Sequence, residues 1–98
     1  LESLWAMVKL SVCEALETGV PGVGASAVKL YYTEIFQRTT EIAVRLLGRA
    51  GLSRSDVMDL PAQHFFARHF NAISVSIAAG TSQIQKNILG ERVLGLPK

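Results

Sequence analysis

The chain has 98 residues, 49 % of them hydrophobic and 18 % charged, with a formal net charge of +2. That is enough for one domain with one modest core, and the scattered basic residues give no footing for a nucleic-acid partner. The single cysteine, Cys13, excludes an internal disulfide and suits a reducing compartment, no apolar run approaches the roughly 18–20 residues of a membrane span, and no signal-peptide pattern opens the chain.

High apolar content beside few charges predicts that part of the apolar surface faces another domain or subunit. An amphipathic pattern is already running at Leu1, Leu4 and Trp5. The chain therefore reads as a fragment that begins inside or just before a helix. Leu1, Leu4, Trp5, Val8, Val12 and Leu16 recur at three- and four-residue steps, which predicts a helix to about Thr18. Gly19 and Pro21 supply its stop, and "TGVPGVG" reads as a turn.

A second helix is predicted from about Gly24 to Leu47, about 35 Å long at the usual rise per residue. Val28, Tyr31, Ile35, Ile42 and Leu46 form its apolar stripe, with Thr39 in the gap, and Lys29, Thr33, Gln37 and Glu41 fall on the other side. Glu34→Arg38 and Glu41→Arg45 are ion pairs in the favourable order. Gly48 and Gly51 end the helix. Ser53 and Asp59 read as caps, Ser53 to Met58 as one short turn, and Pro61 as the first turn of a third helix reaching about Ala78. Phe66, Phe70, Ile73 and Ile77 give that helix its stripe. A fourth helix starts at Ser82-Gln83-Ile84-Gln85, an S-x-x-Q capping box. Gly95 and Pro97 close the chain. Four helices with short connections predict an all-α fold, an antiparallel up-down four-helix bundle crossing at roughly 20°.

Little chemistry is visible by residue type. His64 and His69 are five apart, about 140° around a helix, so they cannot share a metal on one face. No G-x-S-x-G elbow is present, and the carboxylates fall on polar faces or beside caps. Tyr31, Tyr32, Phe36, Phe65, Phe66 and Phe70 read as core and interface. The remaining candidate is Gly80-Thr81-Ser82-Gln83. A helix start carries unsatisfied N–H groups and partial positive charge, so this stretch reads either as a plain cap or as a receptor for an anion.

The segment "SIAAGTSQIQKNILGERVLGLPK", Ser76 to Lys98, closely resembles the C-terminal end of acyl-CoA dehydrogenases. "GASAVKLYYTEIFQRTTEIAVRLLGRAGL" resembles the long helix of that family, with its A-S-x-x-K-L-Y start and glycine-bearing end, and "LESLWAMVKLSVCEAL" resembles the helix before it. The resemblance implies that residues 1–98 form the C-terminal four-helix bundle of a three-part enzyme whose N-terminal helical and middle β-domains lie outside this chain. It implies FAD as cofactor and conversion of an acyl-CoA to a trans-2-enoyl-CoA in lipid oxidation. A carboxylate takes the α-proton, the β-hydride goes to the flavin, and an electron-transfer flavoprotein collects the electrons. It further implies a dimeric or tetrameric homo- or hetero-oligomer, located in the bacterial cytoplasm or, in a eukaryote, the mitochondrial matrix.

By the same resemblance, Gly80 falls beside the acyl-CoA, and Thr81, Ser82 and Gln83 lie against FAD. The family's Q-x-x-G-G-x-G motif, which touches the FAD of a neighbouring subunit, reads here Arg45-Leu46-Leu47-Gly48-Arg49-Ala50-Gly51. Gly48 and Gly51 match. Arg45 and Arg49 replace the glutamine and the second glycine, putting two cations where a pyrophosphate would sit. Many members have the catalytic glutamate immediately before G-T, and this chain has Ala79. No catalytic base is thus named here: either it stands on an earlier helix, upstream of Leu1, or it is lost and the chain is a silent partner subunit or a helical interaction module.

Overall fold

The computed structural model describes residues 1–20, 22–57, 59 and 62–97. Four α-helices follow in the predicted order: α1 (Glu2–Thr18), α2 (Gly24–Leu47), α3 (Ala62–Ile77) and α4 (Ser82–Arg92), with a 3₁₀ turn over Gly48–Leu52. No strand occurs among the described residues, so the all-α class holds. The chain divides into two compact units, Leu1–Tyr32 with Gly80–Lys98, and Thr33–Ala79.

In the first unit, α1 stops where the glycine predicts. Gly19 adopts the left-handed conformation (φ 71°), and its N–H donates to the Ala15 carbonyl at 2.9 Å. Pro21 lies outside the described residues. The apolar stripe of α1 forms but is not covered: no residue of α1 is buried, and Leu1, Trp5, Val12 and Leu16 are all exposed. An open apolar groove of about 470 Å³ runs between α1 and the first turns of α2, lined by Val8, Val12, Ala15, Val28 and Tyr32.

The second unit holds the rest of α2, the 3₁₀ turn and α3. Its deepest positions are small. Ala62 and Ala72 are fully buried on α3, Thr33 and Thr40 on α2, and Gly51 in the turn. This differs from the predicted stripes. Thr33, read as a polar-face residue, is 1 % exposed, whereas Ile42, Leu46, Phe70, Ile73 and Ile77 face outward. The close packing within this unit is between α3 and the 3₁₀ turn, where small residues allow near approach. Thr40 meets the polarity requirement locally. Its hydroxyl is 3.0 Å from the carbonyls of both Phe36 and Gln37, one helical turn back, and 3.5 Å from Nδ1 of His69 on α3. Phe66 and Phe70 stack obliquely, with ring centroids 4.9 Å apart.

The caps before α3 also differ from prediction. The Ser53 hydroxyl accepts the Ser55 N–H at 3.2 Å, a local turn, and Asp59 is itself left-handed (φ 63°). It is Asp56 whose Oδ1 accepts the N–H of Gln63 at 3.3 Å, satisfying a first-turn donor of α3 from seven residues upstream. Met58, Leu60 and Pro61 lie outside the described residues, so the end of the predicted short turn and the expected proline start are not described. Of the two predicted ion pairs, Glu41 and Arg45 close at 2.5 Å on an exposed face.

Gly48 and Gly51 do different work at the end of α2. Gly48 is left-handed (φ 55°), with open space where a side chain would go. A β-carbon on Gly51 would lie 2.7 Å from the Val44 carbonyl oxygen, which is backbone and cannot swing aside. Gly51→Ala is expected to destabilise the fold by about 1–3 kcal/mol through overpacking, and Gly48→Ala by about 1 kcal/mol through the left-handed penalty alone. Urea unfolding midpoints of the two variants test this order, and a larger loss at Gly48 would refute the close-approach account.

Candidate functional site at the start of α4

Ala79 (φ 55°) and Gly80 (φ 96°) are both left-handed, and Ala79 is exposed. A β-carbon at Ala79 costs about 1–2 kcal/mol in this region, and glycine at 80 avoids that cost. Thr81 then takes an extended conformation (φ −63°, ψ 163°) and caps α4.

The cap is Thr81 and not the predicted Ser82. The Thr81 hydroxyl accepts the Ile84 N–H at 3.4 Å, and the Thr81 carbonyl accepts the Gln85 N–H at 3.0 Å. Ser82 is already helical because the last extended residue is Thr81, and a threonine hydroxyl caps as a serine hydroxyl does. The predicted capping-box partner Gln85 accordingly moves one position inward. It is buried to 7 % exposure, and its side-chain nitrogen would lie 2.9 Å from any β-carbon at Gly80. Gly80 is thus required twice, for its conformation and for the space its missing side chain leaves to Gln85.

Sequence reasoning missed one participant. Lys29, placed on the polar side of α2, donates from its ammonium Nζ to the Gly80 carbonyl at 2.5 Å. A lone lysine on a helix face carries no sequence signal for such a contact, although Lys29 lies within the quoted A-S-x-x-K-L-Y start.

The predicted contact residues Gly80, Thr81, Ser82 and Gln83 therefore form one continuous turn and helix start. Thr81 and Ser82 are half-buried and Gln83 is exposed. The N–H groups of Ser82 and Gln83 fall in the first helical turn, where no intrahelical carbonyl reaches them. The start offers donor N–H groups, two hydroxyls, one amide and the positive end of α4. The other predicted set, Arg45, Gly48 and Arg49, belongs to the second unit at the end of α2. Arg45 is engaged by Glu41, and Arg49 is exposed. No group of His, Cys, Asp and Glu suited to a metal ion occurs among the described residues, nor is any helix there long and apolar enough to cross a membrane.

The cap assignment has a direct test. Thr81→Val is expected to cost about 1 kcal/mol of stability by removing the cap, with Thr81→Ser close to wild type. Ser82→Ala is expected to stay within about 0.5 kcal/mol. Thermal unfolding that ranks Ser82→Ala as the more damaging would restore Ser82 as the cap.

The family model described as acyl-CoA dehydrogenase, C-terminal domain, matches residues 1–94. No curated protein and no solved structure matches the chain. With all but the last four residues matched and four helices in an all-α fold, the chain belongs to the acyl-CoA dehydrogenase family through that family's C-terminal domain.

Proposed function

We propose that the chain is the C-terminal helical domain of an FAD-dependent acyl-CoA dehydrogenase, an oxidoreductase that converts an acyl-CoA to a trans-2-enoyl-CoA. Its contribution is part of the wall around FAD and CoA and part of the packing between subunits. The N-terminal helical and middle β-domains come from the rest of that enzyme, and an electron-transfer flavoprotein takes the electrons.

The observation that carries this reading is the start of α4. The left-handed Gly80 turns the chain into α4, Thr81 caps the helix, and the first-turn N–H groups of Ser82 and Gln83 are left to an outside acceptor. Those donors fit a cofactor rich in acceptor atoms. FAD, when bound, supplies the acceptor for the hydride that leaves the acyl β-carbon. The chain's own residues bind and orient: Gly80 lies beside the thioester end of the substrate, and Thr81, Ser82 and Gln83 offer hydrogen bonds to the cofactor. Arg49, exposed beside the left-handed Gly48, suits a phosphate, while Arg45 would have to share its guanidinium with Glu41.

Ala79 supports a second reading. At the position of the usual carboxylate stands a methyl group that cannot take a proton. A base on another helix of the enzyme would keep the chain within a competent active site. Without one, the chain serves a silent partner subunit or an interaction module, and the outward-facing Leu1, Trp5, Leu16 and Leu46 supply it with apolar contact surface. Reading the gene upstream of Leu1 separates the two: a continuous frame encoding two further domains supports the enzyme.

Gln83→Ala in the flavoprotein that carries this chain is expected to weaken FAD binding by roughly tenfold, the worth of one lost hydrogen bond in a desolvated site. Unchanged affinity would remove Gln83 from the cofactor wall. The 98-residue chain purified alone is expected to show no flavin absorbance near about 450 nm, and a stable yellow chain would contradict the need for the other domains.

A further inference from the structure

Lys29 stands outside the stretch from Gly80 to Gln83, yet its ammonium holds the carbonyl oxygen of Gly80 at 2.5 Å. That carbonyl lies one residue before the cap of α4, beyond the reach of any N–H of the helix itself. It also belongs to the same peptide unit as the Thr81 N–H. A trans peptide is planar, with its C=O and N–H pointing in opposite directions. Pinning the Gly80 oxygen toward Lys29 therefore aims the Thr81 N–H away from Lys29. The side chain of Gln85, buried on α4, fills the space beside Gly80.

We propose that Lys29 is a positioning residue for the cofactor wall: it orients the Gly80–Thr81 peptide and polarises it, making the Thr81 N–H a directed donor to an acceptor atom of FAD. The inference rests on the reading of Thr81, Ser82 and Gln83 as that wall. Three physical effects act together. A charged donor on a carbonyl is a stronger bond than a neutral one. Polarising the carbonyl strengthens the N–H at the other end of the peptide. The ammonium also adds positive charge near the positive end of α4, which is unfavourable for the bare protein and favours an electron-rich ligand. The backbone at Ala79 and Gly80 is left-handed at both residues, so the turn depends on contacts from outside itself to hold one orientation.

The test uses the FAD-loaded flavoprotein with ¹⁵N-labelled threonine. Lys29→Met removes the ammonium and keeps the bulk of the stem, and Lys29→Arg keeps the charge. Lys29→Met is expected to shift the Thr81 amide resonance and to weaken FAD binding by roughly tenfold. Lys29→Arg is expected to hold the affinity within about threefold of wild type, rescue that a purely space-filling role would not give. An unmoved Thr81 amide in Lys29→Met overturns the proposal, as does a moved amide with unchanged affinity while Gln83→Ala still weakens FAD. If neither Lys29→Met nor Gln83→Ala changes the affinity, the cofactor wall itself is wrong and the role of Lys29 falls with it. Should Lys29→Met fail to fold, Lys29→Arg decides alone, and a tenfold loss of affinity there overturns the proposal.

Discussion

Close packing through small side chains is the constraint on which the second unit of this chain depends. Thr33, Thr40, Gly51, Ala62 and Ala72 occupy its buried positions, and none of them brings much apolar area out of water. At Gly51 the value is steric: a would-be β-carbon lies 2.7 Å from the Val44 carbonyl oxygen, so the turn folds back on the end of α2 only without a side chain there. The large residues that usually stabilise a core, such as Leu46, Phe70 and Ile77, are turned outward. A helical surface built this way is suited to be covered by other protein.

The start of α4 shows a related economy in the first unit. One extended residue, Thr81, serves as helix cap, and the glycine before it clears space for Gln85 and accepts Lys29. Each contact fixes a different atom of the same short stretch. The turn is thereby held by α2 and α4 together, although three of its consecutive residues, Ala79 to Thr81, contribute little side-chain bulk of their own.

Element identity was legible in the sequence because it is a local property. Gly19 marks the end of α1, and the stripe from Val28 to Leu46 carries α2 to within a residue of its observed bounds. The direction in which each helix buries itself was not legible, since periodicity reports where apolar residues lie and not what is present to cover them. Thr33 is the clearest case, a hydroxyl residue on the nominally polar face that is fully buried. Caps were half legible. The hydroxyl-rich start of α4 was visible, but the choice between Thr81 and Ser82 depends on one residue's ψ angle. Asp56 reaching Gln63 and Lys29 reaching Gly80 are contacts across seven and fifty-one positions, which no spacing rule describes. The family motif pointed to residues 80 to 83 by composition. What the motif lacked was the reason that stretch keeps its shape.

Ala79 has a consequence for how this scaffold can change. The left-handed conformation penalises any residue that carries a β-carbon, and the penalty is nearly the same for alanine as for glutamate. The side chain is also exposed, so its identity is little constrained by packing. Exchange of a carboxylate for a methyl at this position is therefore close to neutral for the backbone. The scaffold has no folding reason to prefer a methyl there, nor to resist a carboxylate. Side-chain identity at position 79 can change while the local backbone stays as it is.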